Sequence, residues 1–299
     1  MRYRPLGTSG LAISEISFGC MSLGDDRAAN TRLLHQAVDA GINLFDTADL
    51  YQHGQNETTV GRGLAGVRNR VVIATKVGNQ WRPDGSGWDW NPRKAYILQA
   101  ADNSLRRLGT DCIDLYQLHG GTLGDPIDEA IETFEMLKQQ GKIRHYGISS
   151  IRPNVIREYV KRSRIVSVMM QHSLLDRRPE EESLGLLREN GIGVLARGGL
   201  AKGLLVGKTP EEQLGLTADE VARAAQTVAT VSRDSRRTPV ATALRFVLDH
   251  PAVTTAVVGL RTPEQLEQCL AAKDAPPLTK AERRVLTESV RKLQYREHR

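Results

Sequence analysis

Lys76 follows directly on the apolar, β-branched run from Val71 to Thr75, and an ammonium group there is costly to desolvate unless a carboxylate pairs with it. Asp46, which follows the run from Ile42 to Phe45, is an available partner. The pattern recurs down the chain: further apolar runs end in His119, in Ser149 and Ser150, in Gln171 and in Arg197, and the last is followed closely by Arg261. An acid, cations, an imidazole, hydroxyls and an amide at equivalent places are the parts needed to move a proton and orient a polar substrate. Singly, each has a plainer use, because an aspartate after a strand often caps a helix or forms a turn and a histidine there is often structural. Their joint chemistry depends on a fold that brings the ends of these runs together.

The runs themselves define that fold. Short apolar segments at Glu15 to Gly19, Ile42 to Phe45, Val71 to Thr75, Ile113 to Leu118, Arg144 to Ile148, Ile165 to Met170, Gly193 to Ala196 and Ala252 to Val258 read as strands. Between them, Ala28 to Ala40, Asn56 to Leu64, Pro92 to Leu108, Pro126 to Gln140, Pro153 to Lys161, Pro179 to Glu189, Thr217 to Asp234 and Thr238 to His250 carry helical spacing. Asn91 and Pro92 read as an N-cap and first helical residue, Thr209 to Glu212 and Thr262 to Gln265 as capping boxes, and Gly41 and Gly141 as helix stops. At 299 residues the chain is long enough for two domains, yet strand and helix alternate with no break in composition. The expected architecture is α/β: one (β/α)8 TIM barrel domain over residues 1–299, with Arg2 to Ser14 as a β-hairpin outside the barrel. Active sites of such barrels lie at the C-terminal ends of the strands, where the polar residues above fall.

Composition and motifs exclude several classes. Hydrophobic residues make up 40% of the chain, enough for a real core, and the three cysteines, Cys20, Cys112 and Cys269, have no metal-ligand spacing. No apolar run approaches the roughly 18 residues of a membrane span, and MRYRPLGTSG has no apolar export segment, so a cytoplasmic protein is expected. The net charge of +6 is spread through short clusters such as Lys161, Arg162 and Arg164, interleaved with acids, which fits a phosphorylated small ligand better than nucleic acid or a membrane surface. Gly61 to Gly66 matches GxGxxG but follows a helix and precedes a strand, the reverse of the dinucleotide-binding order. HxH, HExxH and GxSxG are absent, and Asp46, Asp49, His53 and His119 have no specific metal-ligand spacing.

Phe45 to Tyr51 (Phe-Asp-Thr-Ala-Asp-Leu-Tyr) with Gly54 and Glu57, then Ala74-Thr75-Lys76, Gln117-Leu118-His119 and Gly147-Ile148-Ser149-Ser150, resemble the aldo-keto reductases in order and spacing over essentially the whole chain, closest to bacterial members with a short C-terminal tail. The resemblance implies a catalytic tetrad of Asp46, Tyr51, Lys76 and His119. The chemistry agrees: a carbonyl accepting hydride needs a proton donor at its oxygen, an ammonium beside a phenol favours the phenolate, and a carboxylate holds that ammonium. The resemblance also implies NADP(H), held by Gly19, Met21, Ser149, Ser150, Gln171, Arg197, Gly198, Leu200, Lys202, Gly203, Gly259, Arg261, Gln265 and Gln268. Arg197 stands where many members stack a tyrosine on the nicotinamide, and its planar guanidinium can also stack. Arg261 precedes a helix N-terminus, a place suited to a phosphate on the ribose 2′ oxygen.

The function expected is NADPH-dependent reduction of aldehydes or ketones by a monomer acting on a small carbonyl substrate, with no nucleic-acid or membrane partner and no metal. The alternatives are an NADP(H)-binding regulatory module with little turnover and a metal-assisted barrel hydrolase. Trp81, Trp88 and Trp90 all lie in the segment after Lys76, where they either line a substrate pocket or pin the loop.

Overall fold

The computed structural model describes residues 1–299. β1 (Tyr3–Pro5) and β2 (Ala12–Ser14) pair antiparallel as the expected hairpin. The alternation that follows is β3 (Ile16–Gly19), α1 (Arg27–Asp39), β4 (Leu44–Asp46), α2 (Gln55–Leu64), β5 (Val72–Val77), a second hairpin of β6 (Asn79–Trp81) and β7 (Trp88–Trp90), α3 (Lys94–Leu108), β8 (Ile113–Leu118) and α4 (Ile127–Gln139). It continues with β9 (Ile143–Ser149), α5 (Pro153–Arg162), β10 (Ser167–Gln171), α6 (Ser183–Glu189), β11 (Gly193–Arg197), α7 (Ala218–Asp234), α8 (Pro239–Leu248), β12 (Val253–Gly259), α9 (Pro263–Asp274) and α10 (Lys280–Glu288). The strands β3, β4, β5, β8, β9, β10, β11 and β12 close into one parallel barrel, with β12 pairing back onto β3. This is a (β/α)8 barrel with an N-terminal hairpin outside it.

The two-residue period of a strand sorts each one into an inner and an outer face. Leu44, Val72, Ala74, Leu115, Met169, Leu195 and Val257 meet inside the barrel, and Leu6 and Ile13 from the N-terminal hairpin close it from below. Two residues further along β4, β5, β10 and β11 the same faces present Asp46, Lys76, Gln171 and Arg197. Apolar packing below and polar groups above thus follow from one register. The outer faces pack on the helices; Tyr116 of β8 meets Phe134 of α4 edge-on with ring centroids 5.7 Å apart, and Phe134 stacks on Tyr146 of β9 at 5.4 Å.

Several boundaries differ from the sequence reading. α3 begins at Lys94 rather than Pro92: Asn91 Oδ1 accepts from Arg93 N in a local turn, and Glu129 of the neighbouring α4 accepts from Lys94 N, a tertiary cap invisible in the local sequence. Thr209 to Glu212 forms no helix, and Glu211 instead pairs with Lys208. Thr262 does cap α9, but Gln265 reaches back to Arg261 N rather than to Thr262 N. Gly61 and Gly63 lie in α2, where a Cβ on Gly61 would fall 2.3 Å from Leu108 O, so the GxGxxG string serves the close approach of α2 to α3. α10, with a capping box of Thr279 and Glu282, and the β6–β7 hairpin are additions to the expected elements.

The N-terminal end of the barrel is closed by charge as well as by apolar side chains. Glu15 and Arg245 are both wholly buried and joined at 2.8 Å, while Arg4 donates to Leu248 O and Val253 O. Removing one partner of such a pair strands the other in a dry site, so Glu15→Ala is expected to lower unfolding free energy by about 3–5 kcal/mol in urea denaturation. A loss below about 1 kcal/mol, the range of an exposed pair, would show that Arg245 finds another partner.

Candidate active site

Lys76 Nζ lies at the centre of the upper barrel. It donates to Asp46 Oδ2 at 2.8 Å and to Thr47 O at 2.7 Å, and is 3.3 Å from Tyr51 Oη. Asp46 is placed by the pairing of β4 with β5, in which Asp46 lies opposite Ala74. Burial works against the Lys76 charge, but the Asp46 carboxylate and the Tyr51 oxygen outweigh it and hold the lysine above its ordinary pKa. The side chain is therefore an ammonium throughout the neutral range. Its charge also sits 4.9 Å from the centre of the Tyr51 ring.

Tyr51 opens a tight turn in which Gln52, His53 and Gly54 all have positive φ, a conformation unfavourable for the first two. The turn is braced from the β6–β7 hairpin: Trp81 Nε1 donates to Leu50 O at 3.1 Å, and the Trp81 ring stacks on His53 with centroids 3.7 Å apart. Trp81 thus contacts the chain on both sides of Tyr51.

His119 follows β8, with its amide donating to Val77 O and its ring edge-on to Tyr51 at 6.0 Å. Burial first, and then the nearby cations Lys76 and Arg197, push its pKa down to about 3. The imidazole is neutral at working pH. Its Nδ1 and the side-chain amide of Gln117 below it have no hydrogen-bond partner within the protein.

These groups form the floor of a cavity of about 1070 Å³ at the C-terminal end of the barrel. Of the residues singled out from sequence, Asp46, Tyr51, Lys76, His119, Gly19, Met21, Ser149, Ser150, Gln171, Arg197, Gly198, Leu200, Lys202, Gly203, Gly259, Gln265 and Gln268 all line it. Arg261 does not. Its side chain is exposed, and its Nε donates to Ser22 O at 3.1 Å. Arg197 Nη1 donates to Gln171 Oε1 at 3.2 Å, which orients that amide. Gly198, Ala201, Lys202 and Gly203 all have positive φ, so the loop after β11 is tightly wound where it faces the cavity.

The three tryptophans divide between the two roles. Trp88 and Trp90 line the cavity, with Trp90 Nε1 donating to Asp125, whereas Trp81 braces the Tyr51 turn and lies outside the lining. Asn79, Arg152, Val206 and Leu214 also line the cavity. No spacing in the sequence marks them, since they come from loops and a short hairpin whose paths are set by tertiary packing. Asp46, Asp49, His53 and His119 do not gather into a ligand set: Asp46 is engaged by Lys76, Asp49 by Tyr96 and His53 by Trp81.

Comparison with known proteins places the chain in a family. The Aldo/keto reductase family profile matches residues 15–291. The uncharacterized oxidoreductase YqkF of Bacillus subtilis is 48% identical over 308 aligned positions spanning 100% of each chain. Among solved structures, the holo form of an aldo-keto reductase from Bacillus halodurans superposes with a TM-score of 0.94 at 48% identity, covering 100% of this chain and 99% of its own. A glycerol dehydrogenase of Gluconobacter oxydans superposes with a TM-score of 0.86 at 28% identity, covering 96% and 94%. The protein is an oxidoreductase. It belongs to the aldo-keto reductase family.

The neutral His119 has a measurable consequence. In the unfolded chain a histidine takes up its proton near pH 6.5, whereas His119 in the fold resists until about pH 3, so it contributes a stability loss that grows as pH falls between those values. The His119 imidazole resonances are expected to stay at their neutral positions down to about pH 4 in an NMR titration. A midpoint above about 5.5 would mean that the site is wetter and less positive than its geometry implies.

Proposed function

We propose that the protein reduces aldehydes or ketones to alcohols with NADPH, with Tyr51 as the proton donor. The observation that carries this reading is the buried Lys76 ammonium, shared between Asp46 and the Tyr51 oxygen at the floor of the cavity. Bound NADPH would supply hydride to the carbonyl carbon. As negative charge grows on the carbonyl oxygen, Tyr51 Oη gives up its proton to it, and Lys76 stabilises the phenolate left behind. Asp46 keeps the lysine charged and in place. His119, neutral, can hold the substrate oxygen from the opposite side without competing as an acid. The glycerol dehydrogenase among the structural neighbours is named for the opposite direction, which the same groups serve in reverse.

The cofactor reading is supported by the fit of the cavity wall. On this reading Ser149, Ser150 and Gln171 would offer hydroxyls and an amide to the nicotinamide carboxamide, and Arg197, tied to Gln171, would stack its guanidinium plane on the ring. Gly198, Leu200, Lys202 and Gly203 belong to the wound loop suited to a pyrophosphate, with the Lys202 charge beside it. Gly19, Met21, Gly259, Gln265 and Gln268 also line the cavity and would take the adenosine end. Arg261, next to the N-terminus of α9, is assigned to the 2′ phosphate at the rim, outside the cavity proper. On this reading residues 1–299 act as one domain, as a cytoplasmic monomer, on a small carbonyl compound. No helix is long and apolar enough to cross a membrane.

Tyr51→Phe should cost about 10²- to 10⁴-fold in turnover and leave the dissociation constant for NADPH unchanged, as expected for a group that acts only in the transition state. Retention of more than about a tenth of turnover, with chemistry rate-limiting, would remove Tyr51 from the role. For the cofactor, Arg261→Ala should weaken NADPH by about 10- to 150-fold, the worth of a charge-assisted hydrogen bond, with NADH nearly unaffected. Equal weakening of both would make the Ser22 tether the main work of Arg261, and a wild-type preference for NADH would overturn the NADPH assignment.

A further inference from the structure

Asp49 lies two residues before Tyr51, is buried, and takes no part in the cavity wall. Its amide donates to Lys76 O at 3.3 Å, so its backbone is fixed to β5. Its side chain points instead toward the layer between barrel and helices. There the Tyr96 hydroxyl of α3 lies 3.2 Å from Asp49 Oδ2 and 3.3 Å from Asn79 O. Asn79 in turn donates from Nδ2 to His119 O at 3.2 Å. A phenol has one hydrogen to donate, and both oxygens facing it are acceptors if Asp49 is ionised. One of the two contacts would then be an oxygen facing an oxygen with no proton of its own between them.

The charges around Asp49 resolve which proton is present. Glu57 of α2, wholly buried, is the ionised acid of this layer: its Oε2 receives Arg107 of α3 at 2.7 Å, and its Oε1 receives Thr75. Arg107 is thereby spent on Glu57, and the Lys76 ammonium is spent on Asp46 and Tyr51. Tyr116 of β8 brings only a neutral hydroxyl, itself without a partner, and Asp49 Oδ1 has none either. No cation pairs with Asp49, and a second anion lies close by. Burial, reinforced by Glu57, raises its pKa to about 8, in keeping with this arrangement.

We propose that Asp49 is protonated in the folded protein and donates to the Tyr96 oxygen, so that Asp49, Tyr96 and Asn79 form a directed hydrogen-bond chain that positions the Tyr51 turn relative to His119. The hydrogen runs from the Asp49 carboxyl to Tyr96 Oη, from Tyr96 Oη to Asn79 O, and from Asn79 Nδ2 to His119 O. Asp49 is a positioning residue here. Its bearing on turnover rests on the roles proposed above for Tyr51 and His119; its protonation does not.

The test uses the full-length protein and three variants, Asp49→Asn, Asp49→Ala and Tyr96→Phe. Infrared spectra of the wild type near neutral pH should contain a protonated carboxylic acid band that is absent from Asp49→Asn and shifted in Tyr96→Phe. Identical spectra for wild type and both variants in that region would overturn the proposal. An aspartate ionises near pH 4 in the unfolded chain but keeps its proton to about 8 in this fold, so wild type loses stability as pH rises through that interval. Asp49→Asn cannot release this proton, and its melting temperature relative to wild type should climb from pH 5 to 8 and then level off; a constant difference would count against the proposal. In turnover, Asp49→Asn, whose amide can still donate, should stay within about threefold of wild type, while Asp49→Ala and Tyr96→Phe lose about 10- to 100-fold in kcat with little change in cofactor KM. If Asn fails to rescue what Ala loses while the infrared band is present, the positioning role is wrong and the protonation stands. A failure of the Tyr51 assignment would appear separately, as an active Tyr51→Phe.

Discussion

An ammonium group inside a barrel of apolar side chains is the constraint on which this protein turns. Taking a lysine out of water costs several kcal/mol even after relaxation, and only close, well-aimed acceptors offset it. Lys76 has three oxygen atoms within reach, from Asp46, Thr47 and Tyr51, and all three come from β4 or the segment immediately after it. The register of β4 against β5 is therefore not free: a slip by one residue would turn Asp46 away from the interior and leave the charge alone. The same pairing that solves an electrostatic problem in the fold delivers a phenol, held by a cation, to the edge of a cavity.

The two ends of the barrel handle polar groups in opposite ways. At the N-terminal end, Glu15 is surrounded by Arg2, Arg4 and Arg245, and Arg2 and Arg4 reach on to backbone carbonyls, so charge is used in closing the structure. At the C-terminal end, Asp46 Oδ1, the Gln117 amide and His119 Nδ1 are buried and left without protein partners. Buried polar atoms are normally satisfied, and Glu15 Oε1 and Arg245 Nε and Nη1 at the other end are exceptions too, but the C-terminal group differs in lying at the floor of an open cavity. Stability and chemistry are separated along one axis, as in other barrels of this architecture.

Much of this was legible in the residues because two-residue periodicity and strand-end polarity are local signals. Asp46, Lys76, His119, Gln171 and Arg197 each follow an apolar run, and each lines the cavity. What was not legible depends on partners distant in sequence. The start of α3 is set by Glu129 from another helix, the Thr209 to Glu212 string forms no helix, and α10 and the three-residue strands of the β6–β7 hairpin lie outside the eightfold alternation of strand and helix. Trp81 stood beside Trp88 and Trp90 in sequence and could not be told from them, because the direction of a side chain in a hairpin depends on which face the hairpin lays against the barrel. Arg261 does follow the last barrel strand, but its side chain turns outward to Ser22 O, a partner distant in sequence.

The closure of the barrel has a consequence for the order in which the chain can be completed in the cell. β3 lies within the first 19 residues, yet one of its two neighbours is β12, which begins at Val253, and the N-terminal hairpin is tied to Leu248 O, Val253 O and Ala275 O. At about 5–20 residues per second, a ribosome takes roughly 10–50 seconds to cover that separation. Throughout that time the β12-facing edge of β3 has no strand on the chain to pair with. The hairpin and β3 gain partners early, from Gly41, Asn43 and β4, but one edge of the first barrel strand waits for the last, and a chain that stalls shortly before β12 would be left with that edge open to association with other copies.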